Sequence, residues 1–202
     1  MVIEGIVFGH PDLLDASSLG PLAPNIHSSV KSLGVYFHCL FKFDKQISFV
    51  VRSSFFQLRL IAKVKSYLPH KNLKQVIHAF ISSRLDYCNS LYFSSEKLSI
   101  QRLQLIQNAA ARLLTGKKKR DHITPVLLSL HWLPVQRRIE FKILLLTFKS
   151  LNGLAPPYLA ELIQTYTPTR QLRSMNELLL NVPKSKQKTR GDRAFAVAAP
   201  IL

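Results

Sequence analysis

The stretch of residues 77–120 reads IHAFISSRLDYCNSLYFSSEKLSIQRLQLIQNAAARLLTGKKKR. It holds two apolar segments of helix length, a Ser-Ser break between them, and four successive cations directly after a glycine. In the second segment Leu98, Ile106, Ala109, Ala110, Leu113 and Leu114 recur at helical spacing. Gln101, Arg102, Gln104, Gln107, Asn108 and Arg112 supply a polar, cationic side. Ser94 and Ser95 predict the N-cap and Gly116 the C-cap. The pattern reads as an amphipathic helix that delivers Lys117, Lys118, Lys119 and Arg120 into a solvated loop.

Upstream, residues 2–8 form a short β-type run, and residues 15–30, rich in Ser, Pro and Gly, read as a loop. Residues 30–43, VKSLGVYFHCLFKF, suit a strand pair around Gly34 better than a helix, because their aromatic and branched side chains favour a pleated surface. From Asp44, a plausible N-cap, the period becomes helical, with an apolar stripe of Ile47, Val50, Val51, Phe55, Leu58, Ile61 and Ala62 ending near Pro69. On the other side Arg52, Arg59 and Lys63 are spaced by seven and four, which stacks them on one face. That face is a candidate rail for a phosphate backbone, set against the plainer reading of a solvated helix surface. A further helix beginning at residue 70 turns Leu73, Val76, Ile77 and Phe80 inward.

Downstream, residues 122–130 read as a short helix interrupted by Pro125, followed by a turn at 131–134 that packs the lone Trp132. Residues 135–151 form the most apolar helix, through Ile139, Ile143, Leu144 and Leu146, with Arg137, Arg138, Lys142 and Lys149 toward solvent. Asn152 and Gly153 stop it, and Pro156 and Pro157 open a short helix through Tyr158, Leu159, Leu162 and Ile163. Beyond 165 the chain is polar and cationic, with a hairpin-like stretch and Lys184, Lys186, Lys188, Arg190 and Arg193.

The 28 Lys and Arg against 11 Asp and Glu give a net charge of +17, so polyanions are the favoured partners and nucleic acid leads among them. No apolar run approaches the roughly 20 residues that span a bilayer, which argues against a membrane role. The start of the chain lacks the pattern of a secretory signal. Cys39 and Cys88 are too few for a disulfide framework and read as buried, reduced intracellular thiols. No two of the seven histidines lie three or four apart, so neither a metal site nor a cofactor is expected.

Order and spacing carry further. SRLDYCNSLYF, then RLQLIQNAAARLLT, then DHITPVLLSLHWLPV resembles the region downstream of the polymerase active site in LINE-type, non-LTR retrotransposon reverse transcriptases. VKSLGVYF before them and FKILLLTFKSLNGLAPPYLAELI after them extend the resemblance over nearly the whole chain. It implies that Leu33, Gly34 and Val35 form a primer-grip-like hairpin, although His38 stands where the family usually has an aspartate. It also implies a thumb-like helical region over 44–164, palm-end and hairpin sequence over 1–43, and a basic tail over 165–202 whose last residues read as family sequence cut short.

Polymerase chemistry requires clustered carboxylates to hold two metal ions. The chain has no adjacent acidic pair, and nothing in it resembles the family's catalytic aspartates, so it is expected to be no enzyme by itself. The expectation is therefore a mainly α chain with a small β portion near the amino end, working inside the cell, in nucleus or cytoplasm. It would clasp RNA, DNA or a hybrid duplex through phosphate contacts from Arg52, Arg59, Lys63, Lys117, Lys118, Lys119 and Arg120. Three other readings stay open: a helical module that binds a protein partner or a second copy through exposed apolar surface, a thumb that complements a separately encoded palm, and a translated relic without activity.

Overall fold

The fold is built on two helices from separate parts of the chain, α1 (Asp44–Val64) and α4 (Lys97–Thr115). The computed structural model describes residues 4–8, 24–167, 179–185 and 191–202; most of the loop expected over 15–30, the polar stretch 168–178 and Lys186, Lys188 and Arg190 lie outside them. The described chain is mainly helical with one small antiparallel sheet near the amino end. It divides into two compact units, one drawn from Met1–Cys88 and Ser95–Val135, the other from Asn89–Ser94 and Gln136–Leu202.

In the first unit α1 buries Ile47, Val50, Ser54, Leu58 and Ile61, a repeat of three and four that places one side of the helix against its neighbours. α4 answers with Ile100, Leu103, Ile106, Ala110, Ala111 and Leu114. The two run parallel, because bonds link their starts to each other and their ends to each other. The Ser99 hydroxyl lies 3.5 Å from Asp44 Oδ1, Arg102 donates to Ser48 Oγ at 3.0 Å, and at the far ends Lys65 Nζ donates to the Leu113 carbonyl at 2.7 Å. A parallel pair needs a long connection, and the chain between them supplies two more helical pieces, α2 (His70–Ile77) and α3 (Ser83–Asp86).

A single π-helical turn, His78–Ser82, joins α2 to α3. Its wider winding keeps residues four apart on one side, so Leu73, Ile77, Ile81 and Leu85 are all buried. The same turn rotates Phe80, expected inward, out to half exposure. Ahead of α1, β1 (Ser29–Ser32) and β2 (Val35–His38) form the hairpin, with Ser32 opposite Val35. Its two-residue turn places Leu33 at φ 47° and Gly34 at φ 83°, the paired left-handed conformation that tight hairpins use. At the end of β2 the His38 ring accepts the Leu40 N–H through Nδ1 at 3.1 Å, within the turn that leads toward α1. Of residues 4–8, only Gly5 pairs, in a parallel bridge to Ile26.

The ends of α4 differ in how far the sequence revealed them. Gly116 is the C-cap, at φ 72°, donating to the Arg112 carbonyl at 2.8 Å. The N-cap position falls to Glu96 and not to Ser94 or Ser95; Ser94 takes a left-handed φ of 57° while an N-cap needs an extended backbone. Asp44 likewise sits inside the first turn of α1, with Phe43 at the cap position. Leu98 and Ala62 are exposed, and Gln107 lies in the buried face. Gln107 is tied there by bonds: its amide nitrogen donates to the Leu133 carbonyl at 2.7 Å and its oxygen accepts from Gln104 at 2.9 Å. Gln104 in turn accepts the Val135 N–H at 2.8 Å. The residues read as a polar surface therefore clamp the turn after α5 (Thr124–Ser129), where Trp132 is buried edge-on to His78. Pro125 opens α5 instead of interrupting it, because the first turn of a helix needs no amide donor there.

In the second unit α6 (Val135–Leu151), which belongs to it from Gln136 onward, ends at Gly153 with φ 67°, and α7 (Pro157–Ala160) follows. Thr165 and Leu180 form an antiparallel bridge, flanked by bonds from Tyr166 to Leu179 and from Asn181 to Gln164, and α8 (Phe195–Ile201) closes the chain. Ile139, Ile143, Thr147 and Ser150 are buried, whereas Leu144, expected inward, is exposed. Cys39 is buried and Cys88, also expected buried, is exposed.

Two substitutions separate packing from polar patterning in the first unit. Leu103→Ala removes a fully buried side chain and should cost about 2–5 kcal/mol in urea unfolding. Ser54 is fully buried and its hydroxyl has no hydrogen-bond partner, so Ser54→Ala should raise stability, by roughly 0.5–1 kcal/mol.

Candidate nucleic-acid interface

The cations singled out on α1 stand on the side opposite its buried stripe. Arg52, Arg59 and Lys63 are all exposed, and at 1.5 Å of rise per residue they span about 16 Å of helix. Beside them runs an apolar row, Phe49, Phe56, Leu60 and Val64, each between 42% and 51% exposed. Phe49, Phe56 and Leu60 repeat the seven-and-four spacing of the cations three residues earlier, which sets the two rows side by side on one helix surface. The same spacing is present in the sequence, masked by the adjacent Phe55 of the inward stripe.

The structure brings Lys63 and the loop 117–120 to the same end of the first unit. The bond from Lys65 to Leu113 joins the end of α1 to the last turn of α4, four residues before Lys117. All four cations of the loop are exposed, and the loop is shaped from within. Lys118 N–H donates to Asp121 Oδ2 at 2.7 Å, the Asp121 N–H returns a bond to the Lys118 carbonyl, and Arg112 reaches the Lys118 and Asp121 carbonyls. The turn thus uses one carboxylate and one guanidinium to present four cations outward. Arg52 and Arg59 lie further back along α1.

The hairpin residues part company. Val35 is 2% exposed and anchors the sheet to the core, while Leu33 is 88% exposed at the tip. Leu33 holds a left-handed backbone, which costs a residue with a Cβ roughly 1–2 kcal/mol. The Tyr87 hydroxyl fastens that tip by donating to the Leu33 carbonyl, and the Tyr87 ring lies over Gly34. Between the tip, α1 and α3 lies an open groove of about 390 Å³, lined in part by Phe49, Ser53, Arg84 and Tyr87. On the far side of Phe49 sits an aromatic and cationic cluster. Tyr36 meets Phe49 edge-on at 5.7 Å, Lys31 Nζ is 5.5 Å from the Phe49 ring centre, and Lys45 Nζ is 4.9 Å from that of Tyr36.

Lys31, Lys45, Arg84 and Tyr87 were not legible as a group, because they come from a strand, two helices and the end of α3, and only tertiary packing joins them. Of the tail cations, Lys184 and Arg193 fall among the described residues, in the second unit. No helix of the described residues is long and apolar enough to cross a membrane. Comparison with protein-family models, with curated proteins and with solved structures returned no match to the chain.

The tie between Tyr87 and the hairpin tip can be tested alone. Tyr87→Phe keeps the ring over Gly34 and deletes the bond to Leu33, and it should lower stability by about 1 kcal/mol while faster amide exchange appears at residues 32–35. Unchanged exchange there would show that the turn holds its conformation without the tyrosine.

Proposed function

We propose that the chain is a non-catalytic nucleic-acid clasp, akin to the thumb region of a non-LTR retrotransposon reverse transcriptase. The observation that carries this is the exposed cationic surface of the first unit, where Arg52, Arg59 and Lys63 on one helix face lead to the outward-presented loop of Lys117, Lys118, Lys119 and Arg120. Exposed cations of this kind gain affinity by releasing counterions from phosphates, which reads no sequence. The rise of about 16 Å from Arg52 to Lys63 allows contact with several phosphates of one strand. The three long motifs quoted above support the retroelement origin, and His38 serves as a local acceptor at the position where the family usually has an aspartate.

The clasp is tested by binding the purified chain to an RNA–DNA hybrid duplex over a salt series. Six to eight phosphate contacts predict a slope of log affinity against log salt of roughly −5 to −7, and neutralising residues 117–120 should make it shallower by roughly 3 to 4. A folded chain that fails to bind at low salt would overturn the reading.

A second reading, a protein-interaction module, rests on α6. Phe141, Leu144, Phe148 and Leu151 are exposed and follow one another at steps of three, four and three, the spacing of a helix-pairing seam. Glu140 is engaged by Arg137 at 2.7 Å, so the rim of the seam is left cationic. If the seam pairs helices, Leu144→Glu with Phe148→Glu should abolish self-association or partner capture, measured by analytical ultracentrifugation, without changing hybrid binding by the first unit.

A further inference from the structure

The groove between the hairpin tip, α1 and α3 does more than interrupt the surface beside the cationic row. We infer that it accepts a single unpaired nucleobase, so that the first unit favours nucleic acid with an unpaired nucleotide over a fully paired duplex. This rests on the nucleic-acid reading above and adds a site to it.

Four features of the groove fit that occupant. Its volume of about 390 Å³ suits one nucleotide and is too small for a base pair with its sugars. Two of its walls are aromatic and held in place: Tyr87 by its bond to the Leu33 carbonyl, Phe49 by the edge contact with Tyr36 and by Lys31. Both rings are about half exposed, at 50% and 43%, so each has ring surface left to cover. A base stacked on such a ring gains affinity whichever base it is.

The polar groups point the same way. Gln46 is 3% exposed and lines the groove. Its oxygen accepts the Tyr36 N–H at 3.0 Å, which fixes the side chain and leaves the amide NH2 with no bond among the described residues. An amide donor without a bond, on a fixed side chain of the groove lining, is suited to a base carbonyl or ring nitrogen. Arg84, at the groove wall, makes no ion pair among the described residues and can meet the phosphate of the same nucleotide, as Lys31 can from the other side of Phe49. An apolar peptide side chain would use the rings but would leave the Gln46 amide and Arg84 unanswered, which decides for the nucleotide.

The test uses the full chain and two RNA–DNA hybrids, one blunt and one carrying a single unpaired 2-aminopurine nucleotide at its end. The unpaired hybrid should bind at least about fivefold tighter, with quenched 2-aminopurine emission. Ser53→Leu, which adds bulk inside the groove without charge or ring, and Gln46→Glu, which keeps the acceptor for Tyr36 and removes the donor, should each abolish the preference. Ser53→Leu should leave the salt slope on blunt hybrid unchanged. Equal affinity for the two hybrids, or a preference that survives both substitutions, would overturn the inference while leaving the phosphate clasp intact. If blunt hybrid is not bound at all, the clasp fails, and titration with free 2-aminopurine nucleoside monophosphate decides the groove by itself. Quenching by the natural chain and not by Ser53→Leu supports the groove, and no quenching refutes it.

Discussion

Everything in the first unit depends on α1 and α4 lying parallel, fastened at both ends. Parallel packing lets the side chains of both helices interdigitate along one seam, through Ile47, Val50, Leu58 and Ile61 on one side and Leu103, Ile106, Ala110 and Leu114 on the other. It also places two carboxyl-terminal helix ends together, each carrying roughly half a negative charge. Lys65, bonded to the Leu113 carbonyl, answers part of that charge directly. About one elementary charge is to be offset, whereas Lys63, Lys65, Lys117, Lys118, Lys119 and Arg120 bring six cations to that end against Asp121. Helix ends account for a minority of them. On the proposed reading, a polyanion neutralises the surplus.

The sequence showed where the helices would be more clearly than which way they would face. Gly116 was legible because a left-handed C-cap favours a glycine, and the hairpin because Gly34 lies in a stretch of branched and aromatic residues, Val30, Val35, Tyr36 and Phe37. Helix faces were harder wherever a polar side chain had a tertiary partner. Gln107 is buried because a carboxamide can donate to Leu133 while accepting from Gln104, a pairing that no periodicity within α4 contains. Phe80 was misplaced for a different reason, since one π-helical turn changes the phase of every later residue and leaves no compositional mark. Ser94 failed as a cap because of backbone conformation alone.

The candidate interface divides in the same manner. Cations repeated along one helix, or adjacent in a loop, can be read from spacing, and exposure of Arg52, Arg59, Lys63 and residues 117–120 followed from it. The groove could not be read so, because Gln46, Phe49, Arg84 and Tyr87 converge only once the π-helical turn and the hairpin have set α3 beside α1. On the proposed reading, aromatic and cationic rows side by side would offer nucleic acid two kinds of contact, one long-ranged and salt-sensitive, the other short-ranged and indifferent to base identity. The second unit carries a different surface, the exposed apolar seam of α6.

Whether the cationic surface of the first unit holds phosphates, as proposed, can be read by lysine footprinting. The chain, free and bound to hybrid duplex, would be acetylated briefly and the modified lysines identified by mass spectrometry. Protection of Lys63, Lys117, Lys118 and Lys119, with Lys142 and Lys149 of α6 remaining reactive, is the predicted result. Protection confined to α6 or to the tail, with residues 117–119 as reactive as in the free chain, would place the phosphates elsewhere and overturn the clasp.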